Sequence, residues 1–220
     1  MLELAAGTGE VGRAVVGRVG RLISSDLSPA MVEVARRRLP EAEHRVIDMQ
    51  AIDLPDASVD GVLCRWGYML VEDPVLAVRE TRRVLRPGGR LACAVWAAAE
   101  RNPWATAFGR SLVARGLMEP PAPGEPHMFA LGDAGRLEAL LRTSFEDVQV
   151  EPVAVEFRYS SFEEYRRVTT NLGARLRETL GGLDDATRSE VEAEAAVALE
   201  PFARDGGYVL PGLSLVGAAR

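Results

Sequence analysis

The chain has 220 residues, 47% apolar and 26% charged, with a formal net charge of −6, enough for one well-buried domain with a sizeable appendage and unlike a disordered chain. That negative charge repels nucleic-acid backbones and anionic membrane surfaces, so no nucleic acid and no membrane is expected as a partner. All 26 basic residues are arginine, which excludes a Schiff-base lysine, a phosphate-loop lysine and a lysine general base.

Taken in chain order, residues 2–5 read as a short strand, followed by Gly7-Thr8-Gly9-Glu10-Val11-Gly12 as a turn and by a helix over 11–19. "RLISSD" predicts a second strand ending at Asp26, and Ser28-Pro29 supplies a cap and a first-turn proline for the helix containing Met31 and Val34. The run Arg36-Arg37-Arg38 falls on the solvated face of that helix. "HRVIDM" is a third strand closed by Asp48, and "VDGVLCRW" is a short apolar strand of the kind covered on both faces. Asp73-Pro74 opens a helix that "RPGG" at 86–89 stops, and "RLACAVW" is the fifth strand. Asn102-Pro103 caps a helix with Trp104, Ala107, Phe108, Ser111 and Leu112 on one face.

The four prolines of "MEPPAPGEPH" mark an extended loop. Beyond it the pattern gives a helix near 133–143, a strand over 147–159, helices over 161–204 and a last strand over 207–219. Alternating strands and helices call for an α/β fold with a parallel sheet and right-handed crossovers. Cys64 and Cys93 sit in apolar stretches as small hydrophobes. Reduced thiols and a cytoplasmic address are expected, since no signal-peptide pattern and no apolar span of about 18 residues occurs.

The glycine turn suits a nucleotide-type ligand, and its neighbours bear on which one. A pyrophosphate at the turn would be opposed by the Glu3 carboxylate just beneath it, whereas a sulfonium and an ammonium would be attracted. Asp26 is placed to accept ribose hydroxyls in either case. Asp48 can accept an adenine amino proton while the Met49 N–H meets a ring nitrogen.

"LELAAGTGE", "DLSPAMVEVA", "DLPDASVDGVLCRW" and "RETRRVLRPGGRLACAVW" resemble, in order, the successive motifs of class I S-adenosylmethionine-dependent methyltransferases, in particular the type 11 group related to ubiquinone and menaquinone biosynthesis. The resemblance implies a Rossmann-like, seven-stranded, mostly parallel sheet. Its last strand, 207–219, inserts antiparallel between the fifth and sixth, and helices cover both faces. It implies that Glu3, Ala5, Gly7 and Gly9 line the methionine and ribose side, that Asp26 binds ribose and that Leu27 and Met31 pack on adenine. Asp48 and Met49 would hold the base edge, and Arg65-Trp66 would face the sulfonium. Two departures stand out: Ala5 replaces the first motif glycine, and the motif begins at residue 3 where relatives carry helices, so either the N-terminus is shortened or other elements close that side.

On this reading residues 1–118 form the S-adenosylmethionine-binding core, 119–160 complete the sheet, 161–206 are a helical lid and 207–220 the final core strand. Tyr68, Trp104, His127, Tyr159 and Tyr165 are candidates for contact with the acceptor, with core packing or a plain surface position as the competing role for each. His44, at the entry to a strand, is left without a role. No His/Cys cluster has metal-ligand spacing, so no metal is expected. The activity expected is in-line methyl transfer to an O, N or C atom of a small-molecule acceptor, leaving S-adenosylhomocysteine; a homodimer stays open. A nicotinamide-dependent oxidoreductase and a non-catalytic binding domain are the alternatives. The composition suggests a GC-rich bacterial genome.

Overall fold

The computed structural model of the chain describes residues 1–220. Contacts divide it into two compact units: 1–97 with 124–152 and 215–220, and 98–123 with 153–214. These boundaries differ from the four segments expected above, because residues 98–118 group with the helical segment and not with the cofactor-binding core.

The first unit opens with β1 (Leu2–Leu4), the glycine turn and α1 (Glu10–Val15), prolonged by a 3-10 turn over Val16–Arg18. β2 (Ile23–Asp26) and α2 (Pro29–Arg38) follow, and the Ser28 hydroxyl accepts from the Met31 amide at 3.4 Å as the expected cap. β3 (Glu43–Val46) ends two residues before Asp48, so that carboxylate sits on the loop beyond the strand. β4 (Val59–Arg65) leads to α3 (Pro74–Val84), capped by Asp73 onto the Leu76 amide at 2.9 Å.

The "RPGG" stop is a correction. The helix ends at Val84, but β5 (Leu85–Trp96) runs straight through 86–89. Its partner decides this: Val59 pairs with Leu85 and Gly61 with Arg90, so β5 carries extra residues opposite one step of β4, a bulge that Gly88 at φ +80° accommodates. α5 (Ala134–Arg142) also belongs to this unit.

In the second unit α4 (Pro103–Ala114) follows Asn102, which does not cap it by side chain. Asn102 instead accepts from the Leu213 amide (3.0 Å) and the Trp104 indole (3.1 Å) and donates to the carbonyls of Leu213 (3.2 Å) and Ala98 (3.3 Å). α5 (Ala134–Arg142) and β6 (Val148–Tyr159) come next in the chain, then α6 (Phe162–Leu172), α7 (Ala174–Gly181) and α8 (Asp185–Leu199). A two-residue strand, β7 (Ala203–Arg204), not foreseen within the helical segment, pairs antiparallel with β8 (Gly207–Ala219).

The strand order is β3-β2-β1-β4-β5-β8-β6. The β1, β2, β3, β4 and β5 pairings are parallel. Asp147 and Arg220 exchange both backbone hydrogen bonds at the ends of β6 and β8, the mark of an antiparallel pair. The last strand thus lies between the fifth and sixth, as the resemblance implied. Leu2, Leu4, Val62, Val78, Leu91, Leu137 and Leu141 are at most 1% exposed and form the first unit's core. No helix is long and apolar enough to cross a membrane.

Candidate active site

The carboxyl ends of β1 and β2, with the loops after β3 and β4, enclose a cavity of about 660 Å³, within the range of small-molecule sites. Ala5, Asp26, Leu27, Ser28, Ile47, Asp48, Met49 and Gln50 supply one part of its wall, and Gly67, Leu70, Val71 and Glu72 the other. Three carboxylates face it and no arginine does. Leu27 and Leu70, 64% and 57% exposed, present apolar side chains there.

Asp26 is fixed by local backbone. Its Oδ2 accepts from the Gly7 amide at 2.8 Å and its Oδ1 from the Ser28 amide at 2.9 Å, which leaves further lone pairs for hydroxyl donors. Asp48 Oδ1 accepts from the Gln50 amide (2.8 Å) and side chain (3.3 Å), while Gln50 Oε1 accepts from the Asp73 amide at 2.9 Å. Gln50 thereby ties the loop after β3 to the start of α3 and holds the Asp48 carboxylate still. The Met49 amide bonds no carbonyl of the chain.

Gly67 forms part of the floor, and only glycine fits. A Cβ there would lie 2.7 Å from the Ala5 Cβ, 2.7 Å from Cys64 Sγ and 2.8 Å from Met49 Cε. Ala5 itself adopts φ +51°, the conformation in which the family's glycine is unstrained, and its methyl fills the space that Gly67 leaves.

Glu3 is the main correction. It does not line the cavity; it is 2% exposed beneath the turn, with Oε1 accepting from the Gly12 amide (3.0 Å) and Oε2 from the Ser24 hydroxyl (3.2 Å). Burial raises its pKa above the ordinary carboxylate value, against the lowering effect of those two donors and of Arg65. Glu3 braces the turn, and the negative wall that a ligand meets consists of Asp26, Asp48 and Glu72.

Gly7 and Gly9 shape the turn at φ +55° and +86°, and Gly9 precedes α1. Neither they nor Met31, 43% exposed on α2, belong to the cavity wall. Arg65 and Trp66 lie beside the wall at the end of β4: the Arg65 guanidinium sits 4.4 Å from the Trp66 ring centroid, and Trp66 stacks on Trp96 at 4.3 Å. Trp66 takes φ +61°, a conformation costing a residue with a Cβ about 1–2 kcal/mol.

Four acceptor-contact candidates, Tyr68, Trp104, Tyr159 and Tyr165, are corrected to core positions. Tyr68 is 1% exposed with its hydroxyl 2.7 Å from Thr81 Oγ1, and Trp104 is 3% exposed, bound to Asn102 and stacked on Phe157 at 4.3 Å. His127 turns its ring back on its own loop, Nδ1 accepting from the Phe129 amide at 3.1 Å, and burial lowers its pKa. In the second unit Tyr165 is fully buried, stacked on Phe108, with no partner for its hydroxyl; Tyr159 meets it edge-on at 5.2 Å, its own hydroxyl pushed up to about 12 by burial. The Cys64 and Cys93 thiols are buried and free, the latter raised to about 12, so neither is poised as a nucleophile. No group of His, Cys, Asp or Glu is arranged to hold a metal ion.

Ser28, Ile47, Gln50, Gly67, Leu70 and Val71 also line the cavity without a sequence expectation as site residues, and Glu72 reads from sequence as part of the Glu72-Asp73 helix cap.

The family described as "Methyltransferase domain" matches residues 2–93. An uncharacterized methyltransferase of Mycobacterium tuberculosis is 38% identical over 109 residues, covering 50% of this chain and 44% of that protein. A demethylmenaquinone methyltransferase of Clavibacter sepedonicus is 40% identical over 95 residues, covering 41% and 38%. The chain thus spans less than half the length of the curated relatives it matches. Among solved structures, the YcgJ protein of Bacillus subtilis aligns over 100% of this chain and 91% of its own with a TM-score of 0.61 and 20% identity. Phosphoethanolamine N-methyltransferase 2 of Haemonchus contortus, solved with S-adenosyl-L-methionine, aligns over 100% and 48% with a TM-score of 0.58 and 17% identity. Residues 2–93 thus form a methyltransferase domain of the class I S-adenosylmethionine-dependent kind, similar to the demethylmenaquinone and ubiquinone/menaquinone C-methyltransferases.

Proposed function

We propose that the protein binds S-adenosylmethionine in the cavity described above and methylates a small-molecule acceptor by in-line displacement. The observation that carries this reading is the cavity wall itself: Asp26, Asp48 and Glu72 with apolar Leu27, Ile47 and Leu70, and no basic side chain. Such a wall suits an adenosine with a cationic tail and opposes a diphosphate, which sets the nicotinamide alternative aside.

The residues divide the work. Asp26, oriented by the Gly7 and Ser28 amides, accepts ribose hydroxyls; Asp48, oriented by Gln50, accepts the adenine amino group beside the Met49 amide. Leu27 and Leu70 cover the base by apolar contact. Bound S-adenosylmethionine supplies a methyl group activated by its sulfonium. The chain's part is to align that group with the acceptor and exclude water, and nothing in the cavity wall is needed as a proton carrier. The quinone-type acceptors of the ubiquinone and menaquinone enzymes are one candidate class.

Titration calorimetry and thermal shift with S-adenosylhomocysteine, NAD and NADH test the reading. At a hundredfold excess over its Kd, S-adenosylhomocysteine should add about 2.7 kcal/mol of stability. Stabilisation by a dinucleotide and not by S-adenosylhomocysteine would overturn it.

A further inference from the structure

Arg65 stands at the carboxyl end of β4, two residues before Gly67 in the cavity floor. Its side chain is exposed and makes no hydrogen bond or ion pair with the chain; its contact is the Trp66 ring, 4.4 Å away. Arg83 on α3, in the same unit, is engaged by contrast. It binds Glu80, Asp56 and the carbonyls of Ile52 and Leu54.

Trp66 is held in place twice, by its stack on Trp96 and by a left-handed backbone that its side chain disfavours. Strain of this kind persists where surrounding structure over-determines it, and such positions cluster at functional sites. A guanidinium lying on an aromatic ring is pre-ordered, yet its N–H edge stays open for a two-pronged bond to an oxyanion. The charged side chains of the cavity wall next to it, Asp26, Asp48 and Glu72, are all acidic, so an anion entering at the strand ends finds its attraction at Arg65.

We propose that Arg65, presented on Trp66, is the oxyanion receptor of the acceptor site, so that the methyl acceptor carries a carboxylate or phosphate group. This rests on the methyltransferase reading above. It identifies Arg65 as a specificity-determining residue and narrows the acceptor to an anionic class, in place of the neutral quinone type.

The test uses the full chain saturated with S-adenosylhomocysteine, whose binding to the wild type separately checks the methyltransferase reading. Benzoate, phenyl phosphate and neutral benzamide are then titrated by ligand-observed NMR. We expect at least one of the two anions to bind and benzamide not to, Arg65→Gln to abolish that binding, and Arg65→Lys to weaken it about tenfold. S-adenosylhomocysteine affinity should stay within twofold in both variants, which also shows that they fold. Benzoate against phenyl phosphate tells which oxyanion is preferred. The proposal is overturned if neither anion binds the loaded wild type, if binding survives Arg65→Gln, or if Arg65→Gln weakens S-adenosylhomocysteine but not methylthioadenosine, since Arg65 would then serve the cofactor's own carboxylate.

Discussion

Glu3 has each carboxylate oxygen taken by a neutral donor, and burial keeps its pKa above the ordinary 4.5. The folded chain therefore takes up this proton before the unfolded chain does: stability rises as pH falls through the window between the raised value and 4.5, and above that window the ionised group is a constant cost. Glu3→Gln keeps an acceptor for Gly12 and gains a donor for Ser24. Thermal melts across pH should show a variant at least as stable as wild type at neutral pH and flat through the acid window, with S-adenosylhomocysteine affinity within about threefold, roughly 0.6 kcal/mol. Gly67→Ala tests the opposite kind of position, where three atoms lie under 3 Å from any added Cβ. Overpacking there should cost about 1–3 kcal/mol in denaturant melts and reduce S-adenosylhomocysteine binding more than stability alone explains. At this scale Asp26 and Asp48 are legible because each stands at or just past the carboxyl end of a strand, whereas Glu3 is not: an acid below a glycine turn looks the same in sequence whether it faces a ligand or two buried donors.

Local chemistry made most elements legible. Ser28, Asp73, Asp133, Ser161 and Asp184 all cap their helices through their side chains, and such caps are written within four residues. Asn102 occupies a similar position and does something else, because its partner at Leu213 is 111 residues away. Asn102→Ala removes the side-chain hydrogen bonds to both backbone groups of Leu213, and urea melts should show a loss on the order of 2 kcal/mol. "RPGG" was misjudged for the same reason, since its conformation is set by β4. Between α4 and α8, Glu194 bonds the Ser111 hydroxyl and pairs with Arg115, which hold its pKa down to about 2. A depressed acid contributes stability above its unfolded value and loses it as pH falls toward the folded one. A pH series of denaturant melts should therefore show wild type weakening between 4.5 and about 2, with Glu194→Gln less stable at neutral pH and less sensitive across that range.

The order of the seven long strands follows from the motifs taken together and from no single one of them, since the insertion of β8 beside β5 joins residues more than a hundred positions apart. The cavity was half legible for a similar reason. The turn after β1 carries recognisable glycines, and the end of β2 and the loop after β3 recognisable acids, whereas Leu70, Val71 and Glu72 reach the wall only through the path of the chain after β4. Hydrogen exchange with saturating S-adenosylhomocysteine should slow amides in 5–8, 26–28, 48–51 and 67–72 together, and protection confined to the first two stretches would contradict a single cavity. Cys64 and Cys93 face each other in register on the central strands β4 and β5, both fully shielded. They make the protein its own stopwatch: a thiol-modifying dye can react only when those two ribbons part, so its labelling speed reads how often the middle of the molecule breathes, with no substitution in the chain.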